Sequence, residues 1–227
     1  MAKPGSKTRV GAGAPGPSET RQALIRAAVD ALKEEGYAGA SAREIARRAG
    51  CAQSLIFYHF GSVANLLLAG LDAVSDMRRA HYQSAVDRAR GPGELVDAAE
   101  AVFKEDLDAG HIAVLAEMIA GASSTPGLAP EVAARIAPWR SFAADAVGGA
   151  LAGGPLAMLV EPDVAGHAIV ALYLGLEMLA HLDGDRSAAL ALFDRARRLA
   201  VLAEGLGAGD GSERAQEGRT ERKEVQT

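Results

Sequence analysis

Residues 41–62 fix short helices that must turn sharply on one another, and little else in the chain is constrained so tightly. Ser41-Ala42-Arg43-Glu44 has the form of a capping box, a hydroxyl at the helix start and a carboxylate three residues on. Ile45, Ala46 and Ala49 give the short helix that follows an apolar face. Gly50 comes directly after it, where a left-handed backbone meets no Cβ clash, so the chain turns into a second helix over 52–59. Phe60-Gly61-Ser62 closes the unit, with Ser62 placed to cap a longer helix. The small Ala46 at the crossing, Gly50 in the turn and inward Ile45, Ala49 and Ile56 are what a helix-turn-helix requires.

The remainder of the chain carries helical periodicity throughout. Ser18 is expected to cap a first helix with Leu24, Ile25, Ala28, Val29 and Leu32 on one stripe, ending near Gly36. Leu66, Leu67, Leu71, Val74 and Met77 mark the long helix that starts at Ser62, and Gly91-Pro92-Gly93 breaks it. Further helices are predicted over 94–108, 111–122, 127–152, 163–182 and 186–204, separated by Gly, Pro and Asp clusters. Neither strand alternation nor a repeat of 20–50 residues is present. The fold class is therefore all-α: an N-terminal three-helix helix-turn-helix domain over 18–61, then a larger helical bundle domain over 62–204. Residues 1–17 read as a disordered arm and 205–227 as a disordered tail, because neither offers anything periodic to bury.

Composition agrees, since 49% of residues are hydrophobic but only 4% aromatic, so packing must rely on small and aliphatic side chains. The net charge of -5 conceals a split: residues 1–60 carry 9 basic and 5 acidic residues, while residues 61–227 carry 15 and 24. A basic end can meet a polyanion while the acidic remainder is held off it. Cys51 stands alone, which excludes an intrachain disulfide and a cysteine metal cluster. The N-terminal stretch lacks the apolar run of a secretory signal, so a cytoplasmic location is expected. Residues 164–182 are about long enough to span a bilayer, but with His167, Glu177 and His181 among them they read as a buried helix, with no membrane partner.

In a helix-turn-helix the start of the second helix enters the major groove, which here directs Gln53, Ser54 and Leu55 at base edges. Gln53 suits adenine and Leu55 a thymine methyl. Ser41, Arg43, Tyr58 and His59 flank that helix and suit phosphates, with Arg47 and Arg48 adding longer-range attraction. His59 serves equally as a hydrogen-bonded structural residue, and Phe57 and Phe60 read as core aromatics.

The stretch 18–68 resembles the DNA-binding domain of the TetR family, above all in Ser41-Ala42-Arg43-Glu44-Ile45-Ala46-Arg47-Arg48-Ala49-Gly50 and Phe57-Tyr58-His59-Phe60-Gly61-Ser62. Relative to that family the chain has Val63 where a phosphate-binding Lys is common, and at Phe57 a ring without the frequent hydroxyl. The resemblance implies a dimeric regulator of double-stranded operator DNA, most often a repressor, joined through its two C-terminal helices. Those helices carry Ala168, Leu172, Gly175, Leu176 and Leu179 on one and Leu192, Ala196, Leu199 and Ala203 on the other. It further implies a small-molecule effector held among the middle helices and a tilt of the helix starting near Ser62 on binding.

Residues suited to that cavity are Phe103, Met118, Trp139, Phe142, Tyr173 and Met178, with Glu117, Arg140, Glu177 and His181 as polar anchors. Trp139 either contacts the effector or plugs the bundle with its N–H on a carbonyl. Glu177 and His181, four apart, suit an ordinary side-chain hydrogen bond better than a metal pair. No cofactor or metal is expected. A phosphate loop, a nucleophile elbow and a His-Glu-His signature are all missing, which argues against an enzyme. The rival is a helical dimeric interaction protein without regulated DNA binding.

Overall fold

The computed structural model describes residues 16–152 and 154–202, and among them the chain is helical, with no strand. The helices are α1 (Pro17–Gly39), α2 (Ala42–Ala49), α3 (Ser54–Phe60), α4 (Val63–Val86), α5 (Pro92–Ala109), α6 (His111–Ala122), α7 (Leu128–Leu151) and α8 (Pro162–Asp183). A 3-10 turn, Pro155–Met158, leads from α7 toward α8, and a further helix, α9, covers 187–202. The expected tail, most of the expected arm and Ala203 lie outside the described residues.

Local chemistry accounts for the helix ends. α1 begins one residue before Ser18, because Pro17 sits at the first helical position and the Gly16 N–H donates to the Glu19 carboxylate at 2.9 Å. It bends at Gly36, whose φ of 70° is open to glycine at little strain. Ser41 caps α2 by accepting the Glu44 N–H at 3.3 Å. The reciprocal half of the capping box is not made, because the Glu44 carboxylate turns to Arg47 and Arg48 while the Ser41 N–H donates to the Gly39 carbonyl. Gly50 takes the left-handed conformation (φ 65°, ψ 33°) and ends α2 as expected. Ser62 caps α4 through the Asn65 N–H at 3.1 Å.

Leu24, Leu32, Ile45, Ile56, Leu66 and Leu67 are fully buried at the centre of α1 to α4. The same core runs on through Val114 and Met118 of α6 to Leu128 and Val132 of α7, so packing is continuous across the boundary expected at residue 61. Truncating one such leucine to alanine costs about 2–5 kcal/mol.

Helix α8 lies against α7, where a Cβ on Gly166 would stand 2.5 Å from the Arg140 carbonyl, so only glycine permits that approach. Contrary to the expected buried helix, α8 buries only Gly166, Glu177 and Ala180 completely. It has helices to lie on along one side alone, so Leu179 faces outward, as does Leu199 of α9. By length and composition α8 is apolar enough to cross a membrane, yet its buried side carries Glu177 and packs on α7.

Candidate nucleic-acid interface and ligand cavity

The phase of α3 is set by Ile56, which is fully buried between α1, α2 and α4 in the common core. With Ile56 inward, residues three and four apart on the opposite side, Ser54, Phe57 and Tyr58, share the outward face. Gln53 and Ser54 are exposed at the start of α3 and Tyr58 is 79% exposed. Two residues differ from expectation. Leu55 is half-buried and packs against the core, while Phe57, read as a core aromatic, is 49% exposed. The physical reason is the same for both, since a helix of two turns has one buried side and Ile56 has taken it. His59 is half-buried, its ring edge-on to Tyr58 at 4.9 Å and to Phe60 at 6.2 Å.

Ser41 and Arg43 stand exposed at the start of α2. Arg43 forms no ion pair among the described residues, whereas its neighbours do. Arg48 is gripped by Glu34 at 2.6 Å, Glu35 at 3.0 Å and Glu44 at 2.6 Å, and Arg47 also binds Glu44. Hydrogen bonds from Arg47 and Arg48 hold the Glu44 carboxyl down at about 2. Two arginines matched by three carboxylates present no net positive charge, so the attraction expected of Arg47 and Arg48 is cancelled locally. Arg21 stacks over Phe60 at 5.1 Å, on the edge of the same unit.

Away from this surface, α4, α5, α7, α8 and α9 line a half-open cavity of about 410 Å³. Of the residues expected at an effector site, Trp139, Phe142 and Tyr173 line it. The other expected residues do not. Phe103 is fully buried behind Tyr173 and Phe193, with ring centroids 5.4 and 5.3 Å away. Met118 belongs to the core shared with α1 and α4. Glu117 accepts the Tyr37 N–H at 2.8 Å, Arg140 sits on the exposed His167 at 3.3 Å, Met178 is half-buried off the wall, and His181 is exposed. Glu177 is fully buried and makes no bond with His181; neither carboxyl oxygen has a hydrogen-bond partner, and Arg78 Nη2 is 3.8 Å away. The Trp139 N–H donates to Ser75 Oγ at 2.8 Å, a hydroxyl where a carbonyl was expected.

Sequence reading missed the polar end of this cavity. Asp106, 3% exposed, receives Arg78 Nε at 3.0 Å, the Tyr82 hydroxyl at 2.7 Å and the Tyr173 hydroxyl at 3.0 Å, and lies 2.9 Å from His111 Nδ1. Burial alone would raise the Asp106 carboxyl, but the hydrogen bond from His111 and the charge and hydrogen bonds of Arg78 bring it down to about 2. Burial pushes the Glu177 carboxyl up to about 8 despite the partial pull of Arg78. Tyr82 and Tyr173, whose hydroxyl oxygens also meet, are both raised, burial being the first cause. One signal was available: Asp106 stands three residues after Phe103 on the buried stripe of α5, a carboxylate where an apolar residue belongs.

Comparison with known proteins assigns the N-terminal unit. Residues 24–69 match the family model described as bacterial regulatory proteins, tetR family. Among solved structures, a TetR transcriptional regulator from Chloroflexus aurantiacus shares 23% identity over 80% of this chain and 94% of its own, with a TM-score of 0.65. The regulatory protein TetR from Rhodobacter sphaeroides shares 20% over 78% and 96%, TM-score 0.64. The fatty acid degradation regulator FadR from Bacillus halodurans shares 18% over 82% and 95%, TM-score 0.65. At these identities the likeness is one of fold. Among curated proteins none matches the chain.

Proposed function

We propose, from the match of residues 24–69 to the tetR family of bacterial regulatory proteins, that the chain is a TetR-family regulator, a dimeric, ligand-responsive repressor released from a pseudo-palindromic operator by a small molecule. The family match supports a DNA-binding transcriptional regulator; the operator, the dimer and the response are this proposal.

The observation that carries it is the outward face of the helix-turn-helix. Gln53 and Ser54 stand clear at the start of α3, and Arg43 is exposed and has no ion pair among the described residues, while the adjacent arginines are neutralised. Gln53 reads adenine, and Ser41, Arg43, Tyr58 and His59 hold phosphates and fix the register. Phe57 joins this face as an apolar contact, in the part sequence reading gave to Leu55.

The outward Leu179 of α8 and Leu199 of α9 support a two-fold dimer, since neither is covered by the described residues and neither lines the cavity. Two-fold symmetry presents two α3 helices to one side of DNA, with half-sites about one helical turn apart or a multiple. Helix α4 supports the response, because it begins at the Ser62 cap beside α3 and reaches the cavity at Arg78 and Tyr82. An effector acts through it only if it binds the two α4 orientations with different affinity.

Footprinting on the DNA upstream of its own gene, with a salt titration, tests this reading. Two protected half-sites and affinity that falls steeply with salt are expected. Uniform protection without preferred sites would overturn it.

A further inference from the structure

The cavity has apolar walls and one polar end. Leu95, Ala99, Ala146, Val147 and Leu176 are typical of the walls, and Arg78, Tyr82 and Tyr173 form the end. The hydrogen-bonding capacity of that end is largely committed. Asp106 takes the Arg78 guanidinium through Nε and Nη2 and accepts both tyrosine hydroxyls. The positive charge of Arg78 is therefore already matched by a carboxylate in contact with it.

The second carboxyl nearby, Glu177, is fully buried with neither oxygen hydrogen-bonded. Burial keeps it proton-bearing through neutral pH, at about 8. Arg78 is matched by Asp106, which His111 also holds on its far side away from the cavity wall, and Glu177 adds no charge while it keeps its proton, so the groups that face the cavity offer hydrogen bonds without an unmatched ion.

That balance selects the ligand. An anion would have to displace Asp106 from Arg78 and strand a buried carboxylate. A cation would have to ionise Glu177 against its burial or lie against Arg78. Either choice leaves a charge without a partner among the buried groups of the polar end, which is among the largest penalties a protein interior imposes. A neutral molecule strands nothing: its hydrocarbon covers the walls, and a carbonyl oxygen accepts from the guanidinium edge that Asp106 leaves unused.

We infer that the cavity takes an uncharged, mainly apolar molecule with a carbonyl or ester oxygen at its Arg78 end. This rests on reading the cavity as the effector site.

Trp139, the one tryptophan of the chain, lines the cavity and reports its occupation by fluorescence. Three probes of equal chain length isolate the head group: methyl dodecanoate, dodecanoate and dodecyltrimethylammonium, each titrated into the full chain at neutral pH below its aggregation concentration. The ester is expected to saturate the Trp139 signal about tenfold more tightly than either ion. Ala146→Phe, which fills the cavity, should abolish that signal while circular dichroism reports the same helix content. Binding of either ion as tightly as the ester, or no binding of the ester, overturns the inference. Operator release is measured separately on the same samples. An ester that binds without releasing operator supports the ligand class and removes the effector reading. A charged molecule that quenches Trp139 and releases operator, where the ester does neither, overturns the class and leaves that reading standing.

Discussion

Glu117, in the middle of α6, holds the backbone N–H of Tyr37 at the end of α1 through a 2.8 Å hydrogen bond. The junction is close on every side. A Cβ on Gly36 would collide with the Glu117 carboxylate, the Tyr37 ring lies on Gly121, and the Tyr37 hydroxyl meets Thr125 Oγ1 at 2.9 Å. At its other end α6 starts at His111, bonded to Asp106 at the polar end of the cavity. Contacts therefore run without a break from the cavity through α6 to the residues just before Ser41.

Removing the acceptor at that junction should be felt as lost stability. Glu117→Leu leaves the part-buried Tyr37 N–H unsatisfied and is expected to lower unfolding free energy by about 1–3 kcal/mol, while Glu117→Gln, which keeps an acceptor, stays near the parent. Urea denaturation of the two variants checks this, and equal losses in both would mean that the carboxylate charge, and not the hydrogen bond, matters.

Arg43 and Arg47 are one turn apart on α2 but should differ on DNA. Arg43→Ala removes a cation with no ion pair among the described residues and is expected to weaken binding to all sequences alike, reducing the salt slope by roughly one. Arg47→Ala removes a cation already bonded to Glu44 and should change little. Anisotropy titrations over a salt series compare them, and a larger effect at Arg47 would show that the ion pair opens on DNA.

Gln53→Ala should act on sequence preference instead. Losing a paired contact to adenine narrows the gap between the right and wrong base by about 1–3 kcal/mol. Competition with operators altered one base pair at a time measures it, and unchanged selectivity would remove Gln53 as a reader.

The helix ends were legible because each is decided within a few residues, as Ser41, Gly50 and Ser62 show. The outward face of α3 was not, because a seven-residue helix has no periodicity of its own to fix its phase, and the packing of Ile56 decided it. Charge counting likewise missed that Glu34 and Glu35 fold back onto Arg48. In the cavity the large aromatics Trp139, Phe142 and Tyr173 announced themselves by size, whereas Arg78 and Asp106, 28 positions apart, meet only through the packing of α4 on α5. Glu117 and Met118 showed the opposite error: both suit a ligand site by type, yet α6 turns them toward α1.

The open leucines of α8 and α9 lead to an association prediction. Leu179→Glu together with Leu199→Glu places carboxylates on both outward faces, off the cavity wall and away from the buried Glu177. Sedimentation should then report a monomer of unchanged helix content whose operator affinity falls steeply, since each protomer grips only one half-site. A variant that still sediments as a dimer would place the interface elsewhere.

Glu177 makes the stability of the chain depend on pH in a definite direction. Its carboxyl titrates at about 8 in the folded chain against an ordinary 4.5, so below 4.5 both folded and unfolded states hold the proton and no penalty is felt. Between the two values only the folded state holds it, and unfolding becomes easier by up to about 1.4 kcal/mol per pH unit as pH rises. Asp106 does not mask this. Its folded value of about 2 lies below the ordinary 3.8, so its stabilisation is present above 3.8 and is lost only as pH falls through 2. Glu177→Gln keeps the shape and cannot ionise, so the decline across that window should flatten and the variant should overtake the parent toward its upper end. Urea midpoints measured across the window decide the matter. A parent curve as flat as that of Glu177→Gln would mean that Glu177 is ionised when folded, its charge held by Arg78 3.8 Å away.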